Sequence, residues 1–502
     1  MGLKSDTLIA YNILEKKIIN SGICTQCGAC EAACPVGALH VDSETVRHTY
    51  DCSKYMDLCP ICYEICPHSE ALLLRSLSFV VDAPKKSEAL GYFRKIVLAQ
   101  AVDPKIRELC HGGGGVVTSL LKFGIENKVF DVAIVSQAEP ENPVKPKASV
   151  ATVPDDILSA VGSKFFPSSV GKAYGAASYG YGKTNIALVG VPCHVLALRK
   201  LQARQHKISD NLKITIGLFC FGTLSLSALL EYMKKKYNVE PSEIKHIRLS
   251  SKLIFETDKG EIRLPLSEVS NQIMPSCRKC TDFTAELADI SIGGAFPLTD
   301  WSTVIIRTKD GADFFSKAVE NGVINTRAIE EEPTVIEHAM FAALQKRESG
   351  LKKAKEMEET SGYLPALLLR ETDALAGVKI ADIMTKNIEV VTPHTTVSQL
   401  LDLVMRCGHI AYPLIDDKNE LVGWVTFEEA SKVYKSKRDE TFVTEIVRRD
   451  VVVAHPDETA LDAFKRMSEH EIGRVIVLDR DDPTKIVGIV TKADLMHTLT
   501  KQ

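Results

Sequence analysis

No stretch of this 502-residue chain is both apolar enough and long enough to cross a bilayer. The longest apolar run, Ile186 to Leu198, contains Pro192 and His194 and falls short of the roughly 20 residues that a spanning helix needs. Direct membrane insertion is therefore excluded, and any membrane association has to go through a partner. A block of one charge is also missing: 61 Lys and Arg stand against 65 Asp and Glu, and a formal net charge of -4 leaves no basic field for nucleic acid. The first residues lack the uninterrupted apolar core of a secretory signal, because Lys4, Glu15, Lys16 and Lys17 break it up. The sequence thus predicts a cytoplasmic chain whose cysteines stay out of disulfides. A phosphate-binding P-loop is absent as well. Gly182-Lys183-Thr184 has the right ending, but Ala177 stands where the first glycine belongs and a strand-like run follows.

Against these absences stand fourteen cysteines, eight of them between Cys24 and Cys66. The first run is Cys24, Cys27, Cys30 and Cys34, followed by Pro35; the second is Cys52, Cys59, Cys62 and Cys66, followed by Pro67. Two-residue gaps let consecutive thiolates wrap one iron-sulfur cubane, and in two-cluster ferredoxins the fourth ligand of each cluster comes from the other run. That rule predicts Cys24, Cys27, Cys30 and Cys66 for one 4Fe-4S cluster, and Cys52, Cys59, Cys62 and Cys34 for a second. The six-residue gap after Cys52 departs from the usual spacing and requires a bulged loop. Structural zinc suits paired thiolates too, but it needs neither the duplicated three-cysteine run nor its proline.

At this length and 45% hydrophobic content, about three domains are expected. From about residue 90 to 345 the pattern alternates. Asp131–Ser136, Asn185–Gly190 and Lys213–Phe219 read as buried strands, and Val117–Phe123 and Val195–Leu201 read as helices entered through glycine or Pro-Cys turns. This is an α/β pattern. The loop His111 to Ser119 is glycine-rich and runs into a helix, so its amides suit a phosphate or a flavin edge as well as a simple flexible entry. Four further cysteines, Cys193, Cys220, Cys277 and Cys280, each sit at a strand end or turn. They fit either a third four-thiolate cluster or buried thiols beside a separate pair.

Five ordered motifs add a resemblance: Gly114-Gly-Val-Val-Thr-Ser-Leu-Leu121, Gly162-Ser-Lys164, Val189-Gly-Val-Pro-Cys-His-Val-Leu-Ala-Leu-Arg-Lys-Leu201, Gly217-Leu-Phe-Cys220 and Cys277-Arg-Lys-Cys-Thr-Asp-Phe-Thr-Ala-Glu-Leu-Ala-Asp-Ile-Ser291. Together they resemble the beta subunit family of coenzyme F(420) hydrogenases and dehydrogenases over about half the chain. The resemblance implies an FAD-containing iron-sulfur oxidoreductase subunit exchanging a hydride with the deazaflavin coenzyme F(420). It implies that Cys193, Cys220, Cys277 and Cys280 hold the cluster nearest the flavin. It also implies that Gly114, Gly115, Val116, Val117 and Thr118 line the FAD, with Ser163 and Lys164 nearby. Lys164 is then the cation that steadies the reduced flavin and attracts the acidic coenzyme. Phe165 replaces the family's usual tyrosine. His194 reads as a polar residue satisfying a turn, without a catalytic role. No nickel or molybdenum ligand motif occurs, so activation of hydrogen or formate is left to a partner redox subunit, with a separate ferredoxin as the other candidate partner.

The last third repeats itself. Val390-Val-Thr-Pro393 returns 63 residues later as Val453-Ala-His-Pro456, and Val397, Leu400, Leu401 and Val404 match Ala460, Ala463, Phe464 and Met467 on one helical face. The repeat resembles a tandem pair of CBS domains, which implies an adenine nucleotide (AMP or ATP) or S-adenosylmethionine at Thr491 and Asp494. Glu429 replaces the aspartate in the first copy, after Thr426. The same module implies a homodimer. The expected architecture is multidomain α/β: a two-cluster ferredoxin domain at 16–75, the flavin iron-sulfur core at 90–172 and 173–345, a solvated helical linker at 346–376 and the CBS pair at 377–502. The reading is of three clusters, one FAD and F(420) as substrate. Its rivals are a related reductase of another ring compound and a non-catalytic electron adaptor.

Overall fold

In the computed structural model, which describes residues 9–42, 45–52, 59–110, 113–139, 142–249, 252–361, 375, 378–407, 409–470, 472–491 and 494–495, an eight-stranded mixed sheet forms between residues 95 and 328. Its strands in chain order are β1 (Lys95–Ala101), β2 (Val132–Glu139), β3 (Asn142–Ala151), β4 (Ile186–Gly190), β5 (Leu212–Leu218), β6 (Ile290–Ala295), β7 (Leu298–Ile306) and β8 (Ile324–Ala328). Across the sheet they run β8-β1-β7-β6-β5-β4-β2-β3. The central four, β6, β5, β4 and β2, are parallel, and antiparallel strands flank them on both sides. Parallel strands covered on both faces read as continuous apolar runs. That is why Val132 to Val135 and Ile186 to Leu188 stood out in the sequence.

The helices named below are α1 (Ala29–Ala33), α2 (Val116–Glu126), α3 (Pro154–Ser159), α4 (Val170–Gly175), α5 (Pro192–Ala203), α6 (Pro275–Arg278), α7 (Lys309–Glu320), α8 (Pro333–Ser361), α9 (Val397–Cys407) and α10 (Ala460–Glu469). Alternate residues of β2 serve opposite faces of the sheet, as period two requires. Ala133 and Val135 join the core built with α2, α3 and α7, whereas Val132 and Ile134 join the core built with α1, α4 and α5. The result is a three-layer α/β/α arrangement. A three-stranded antiparallel sheet, Ile244–Leu249, Lys252–Thr257 and Gly260–Pro265, stands apart with its own apolar core.

The cysteine-bearing arm sits on the core by backbone-to-backbone approach. Gly171 and Gly175 lie one turn apart on α4. A Cβ at Gly171 would meet the Ala29 nitrogen at 2.6 Å and the Cys27 oxygen at 2.8 Å, and one at Gly175 would meet the Ala32 Cβ at 2.7 Å. The Gly171 N–H donates to the Cys27 carbonyl at 2.7 Å. Gly171→Val should therefore force the arm off α4. The expected outcome is soluble protein with reduced iron content, checked by colorimetric iron assay and visible absorbance.

Helix α8 corrects one expectation. It runs for 29 residues from Pro333 to Ser361, so residues 346–361 are not a solvated linker but the second half of a core helix. Its inner face carries Lys346, Gly350 and Ala354. Lys346 and Ala354 are buried, and a Cβ on Gly350 would meet the Cys280 carbonyl oxygen at 2.6 Å. The remainder of the expected linker, 362–374 with 376, lies outside the described residues.

The described chain forms two compact units, one of residues 13–51 and 61–368 and the other built mainly on 369–502. The second unit contains the repeat. Val397, Leu400, Leu401 and Val404 on α9, and Ala460, Ala463, Phe464 and Met467 on α10, are all buried. Each copy pairs strands as a hairpin, Ala411–Ile415 with Leu421–Thr426 and Arg474–Leu478 with Ile486–Thr491. Trp424 of the first copy packs with Ile476 and Leu478 of the second. Among the described residues no helix is long and apolar enough to cross a membrane.

Candidate metal and cofactor centres

The Cys24–Cys30 segment curls because Gln26 (φ 55) and Gly28 (φ 80) adopt left-handed backbone. At Gly28 only glycine fits, since a Cβ would lie 2.7 Å from the Lys172 nitrogen. Cys24, Cys27, Cys30 and Cys66 together line a pocket enclosing about 380 Å³ of empty space, its mouth included. Leu14, Ile18, Val41 and Pro67 complete much of its wall, and no carboxylate lines it. Burial pushes the Cys24 thiol up to about 12 and the Cys27 thiol up to about 11, and neighbouring cysteines add to both shifts. Burial raises Cys30 well above its ordinary value, with Cys27, Cys24 and Cys66 contributing. Thiolates so crowded and dry need a compensating cation, and ligation supplies one, because a coordinating thiol is deprotonated outright. The Gln26 amide donates to the Cys24 sulfur at 3.4 Å, a contact of the kind that tunes cluster potentials. These four residues fit a soft, multi-iron group.

Of the second predicted set, Cys34 accepts the Ala38 amide at 3.2 Å, and the Cys62 charge reaches Cys30. Cys52 and Cys59 are each partly buried and group with the unit of residues 369–502 rather than with Cys34 and Cys62, so the expected 16–75 domain is divided; residues 53–58 between them lie outside the described residues.

The core set is assembled by the sheet. Cys193 lies in the first turn of α5, three residues past the end of β4, and Cys220 lies two residues past the end of β5, its parallel neighbour. Carboxyl ends of parallel strands are where α/β sheets place their sites. Cys277 closes on them from α6, held by the Thr223 N–H, which donates to its sulfur at 3.2 Å. The Cys220 N–H donates to the Phe283 carbonyl at 2.8 Å, which fixes the loop before β6. Burial pushes Cys220 up to about 12 and raises Cys193 and Cys280, and Cys277 adds to all three shifts. The Cys27 charge also reaches Cys193, so the two cages are neighbours. Among the described residues no three His, Cys, Asp or Glu side chains close to single-ion spacing. A tetrahedral zinc would hold its thiolates about 3.8 Å apart at the ≈ 2.3 Å Zn–S bond.

Three buried lysines at these cages were not anticipated. Lys200, Lys279 and Lys346 are each under a tenth exposed. The sequence held one signal, since Lys200 follows Cys193 by seven residues and so shares its helix face. His194 departs from expectation in another way. It is buried, its Nδ1 has no hydrogen-bond partner and burial lowers its pKa to about 4, so a neutral ring satisfies no turn.

At the expected flavin site, α2 starts from Gly115 (φ 70) without a side-chain cap, which leaves its first amides open to an anion. The Gly114 carbonyl accepts the Ala101 N–H at 2.6 Å, and a Cβ there would meet the Ser302 hydroxyl at 2.7 Å. Val116 and Thr118 are buried, and Val117 is partly so. The buried Ser119 hydroxyl has no hydrogen-bond partner. An uncapped helix start with an unmet hydroxyl suits a phosphate-bearing cofactor. His111 and Gly112 lie outside the described residues. Lys164, next to the exposed Ser163, donates from Nζ to the carbonyls of Ala160, Val161 and Gly162 at 3.3, 3.0 and 2.9 Å, and burial lowers it to about 8.

In the repeat unit, the Thr491 hydroxyl and N–H both donate to Asp494 Oδ2 at 2.7 Å, and the Asp494 N–H returns to the Thr491 hydroxyl at 3.4 Å. Thr426 and Glu429 make the same reciprocal pair. Lys432 and Arg448 stand 3.6 and 4.0 Å from the Glu429 carboxylate.

Family models match in the expected order. Residues 17–40 match a 4Fe-4S binding domain. Residues 96–174 and 183–332 match the N- and C-terminal parts of the coenzyme F(420) hydrogenase/dehydrogenase beta subunit. Residues 380–436 and 443–501 match the CBS domain. The coenzyme F(420) hydrogenase subunit beta of Methanosarcina barkeri is 30% identical over 272 residues, 53% of this chain and 93% of that protein. Its counterpart from Methanothermobacter thermautotrophicus is 29% identical over 55% of this chain and 99% of its own length. A coenzyme F(420)-dependent sulfite reductase of Methanocaldococcus jannaschii is 28% identical over 63% of this chain and 49% of its own length. Among solved structures, a chain of the F(420)-reducing nickel–iron hydrogenase complex from Methanosarcina barkeri superposes with a TM-score of 0.51 at 29% identity, covering 55% of this chain and 96% of that one.

Proposed function

Because the chain belongs to the coenzyme F(420) hydrogenase/dehydrogenase beta subunit family, we propose that it exchanges a hydride with F(420) and passes single electrons to or from a partner redox protein. In this reading it carries FAD and three 4Fe-4S clusters. When bound, the flavin supplies conversion between two-electron and one-electron chemistry, and the clusters supply the conduction. The observation that carries the reading is the adjacency of the two cages, with the Cys193 set at the carboxyl ends of β4 and β5 and the charge of Cys27 felt at Cys193.

The chain's own part is to hold and orient. Cys193, Cys220, Cys277 and Cys280 form the inner cage and Cys24, Cys27, Cys30 and Cys66 the middle one. The amides of Gly114 to Thr118 hold FAD, with Ser163 and Lys164 beside it. Relatives in this family are oxidoreductase subunits named for F(420), which supports the same substrate here. Thr491 and Asp494 would engage the ribose and phosphate of an adenosyl ligand, and the CBS pair would associate as a homodimer. Mixing anaerobically purified protein with chemically reduced F(420) tests the reading. Bleaching of the flavin absorbance is expected, together with about twelve irons and about one FAD per chain. Absent flavin or an unreactive spectrum would sink it.

Lys164 gives a more local prediction. Its ammonium is present below about pH 8 and lost above, and the attraction between exposed charges is screened by salt. The KM for F(420) should therefore rise as pH passes through 8, and rise with ionic strength at pH 7. Lys164→Ala should abolish both dependences, read from initial rates; a Lys164→Ala enzyme with unaltered pH and salt profiles would exclude the role.

A further inference from the structure

An ammonium withdrawn from water is costly unless negative charge accompanies it, and among the described residues three fully or almost fully buried ones stand at the cages. Lys200, fully buried on α5, donates from Nζ to the Cys66 carbonyl at 2.6 Å, to the Ser69 carbonyl at 2.7 Å and to the Ser69 hydroxyl at 3.1 Å. Lys279 lies between Cys277 and Cys280, with its Nζ 3.3 Å from the Met357 sulfur of α8. Its buried ammonium is within electrostatic reach of Cys66 in one cage and of Cys277 in the other. Lys346 of α8 donates to the Cys220 carbonyl. Cys280, Cys277 and Asp282 are also within its electrostatic reach. The buried His68 ring, in the wall of the Cys24 pocket, lies within electrostatic reach of Lys279 and Lys200. Both ammonium groups therefore bear on that wall.

We propose that Lys200, Lys279 and Lys346 form a fixed cationic seam between the two cages, with Lys200 serving the Cys66 side, Lys346 the Cys220–Cys277–Cys280 side and Lys279 shared by both. The inference rests on the reading that both cages hold clusters. Each cluster gains one negative charge when it takes up an electron, with no bond made or broken, and a nearby buried cation lowers the energy of that reduced form. All three lysines are positioning residues for electron transfer. Lys200 ties the Cys66 carbonyl to α5, the helix that carries Cys193 in its first turn, so the same side chain sets both the charge and the placement of the arm. Lys279 links the potentials of the two cages, because removing one cation withdraws stabilisation from both.

The test uses the full chain purified anaerobically with its clusters, with Lys→Met variants at 200, 279 and 346 and the corresponding Lys→Arg variants. Iron is counted first. Reduction by dithionite through mediators is then followed by electron paramagnetic resonance, with each signal assigned by its loss in Cys30→Ala or Cys193→Ala. The expected pattern is a tenfold weaker reduction equilibrium, 59 mV more negative for a one-electron couple. It should appear in the Cys30-dependent signal for Lys200→Met, in the Cys193-dependent signal for Lys346→Met and in both for Lys279→Met, with the arginine variants close to the parent. Iron-replete methionine variants whose potentials match the parent would overturn the seam. So would equal shifts of both signals in all three. If the parent lacks the iron for both cages, the reading of the cages fails first, and the iron count separates that failure from the seam's own.

Discussion

Cys193→Ala is expected to cut F(420)-dependent reduction of a one-electron acceptor by more than a hundredfold while leaving the bleaching of the flavin by reduced F(420) nearly intact. The contrast follows from geometry. Cys193 stands in the first turn of α5 and the Cys27 charge reaches it, so on the proposed reading its cage is the step that delivers electrons to the arm. Removing one of four thiolates opens that cage and interrupts single-electron conduction, and the residues at Gly114 to Thr118 are untouched. Iron should fall from about twelve to about eight per chain. Stopped-flow absorbance separates the two phases, and a variant that loses both equally would place Cys193 in flavin binding instead. Cys30→Ala should give the same split through the middle cage.

The second large effect concerns Asp289, whose carboxylate is a structural hub. Its Oδ1 meets Arg199 of α5 at 2.9 Å and accepts the Thr308 hydroxyl at 2.7 Å, and its Oδ2 accepts both the N–H and the hydroxyl of Thr215 on β5 at 2.7 Å. Arg199 also reaches the Leu287 carbonyl at 2.8 Å. One carboxylate thus joins α5, β5 and the entry to α7. Burial alone would raise its pKa, but Arg199, Thr308 and Thr215 outweigh it and hold it below the usual carboxylate range. A group depressed in this way adds stability above its unfolded pKa of about 3.9, and that stability is lost as pH falls through the lower folded value. Asp289→Ala strands the buried Arg199 charge and should cost about 3–5 kcal/mol, read by urea unfolding at pH 7. Asp289→Asn keeps the shape without the charge and should flatten the loss of stability below pH 4. A variant as stable as the parent at pH 7 would refute the hub.

Much of this molecule was legible in the sequence, for identifiable reasons. Thiolates at two-residue gaps have few uses, so the arm's cysteines announced themselves. The central strands stood out because both their faces are buried, which leaves unbroken runs such as Val132 to Val135. Tertiary devices stayed hidden. The burial of Lys279 and Lys346 leaves no mark in the sequence, since burial of an ammonium depends on neighbours far away in sequence. The inner face of α8 escaped notice because its contact residues are Lys346, Gly350, Ala354 and Met357 rather than a stripe of leucines, and a helix so composed resembles a solvated tether. His194 differs for a similar reason: a turn position suggests a hydrogen bond, but the fold buries the ring with its Nδ1 unpartnered.

The middle cage has a consequence for how the protein matures. Three of its walls come from the Cys24–Cys30 segment, and the fourth, Cys66, has its carbonyl pinned by Lys200 of α5. Docking of the arm and closure of the cage are therefore a single event, because metal binding and folding share one free energy. On the proposed reading, iron and sulfide would have to arrive while the arm is still off α4. Once Gly171 and Gly175 have met Ala29 and Ala32, a cluster held by these four thiolates would share the fate of that contact, and losing it would go with undocking the arm.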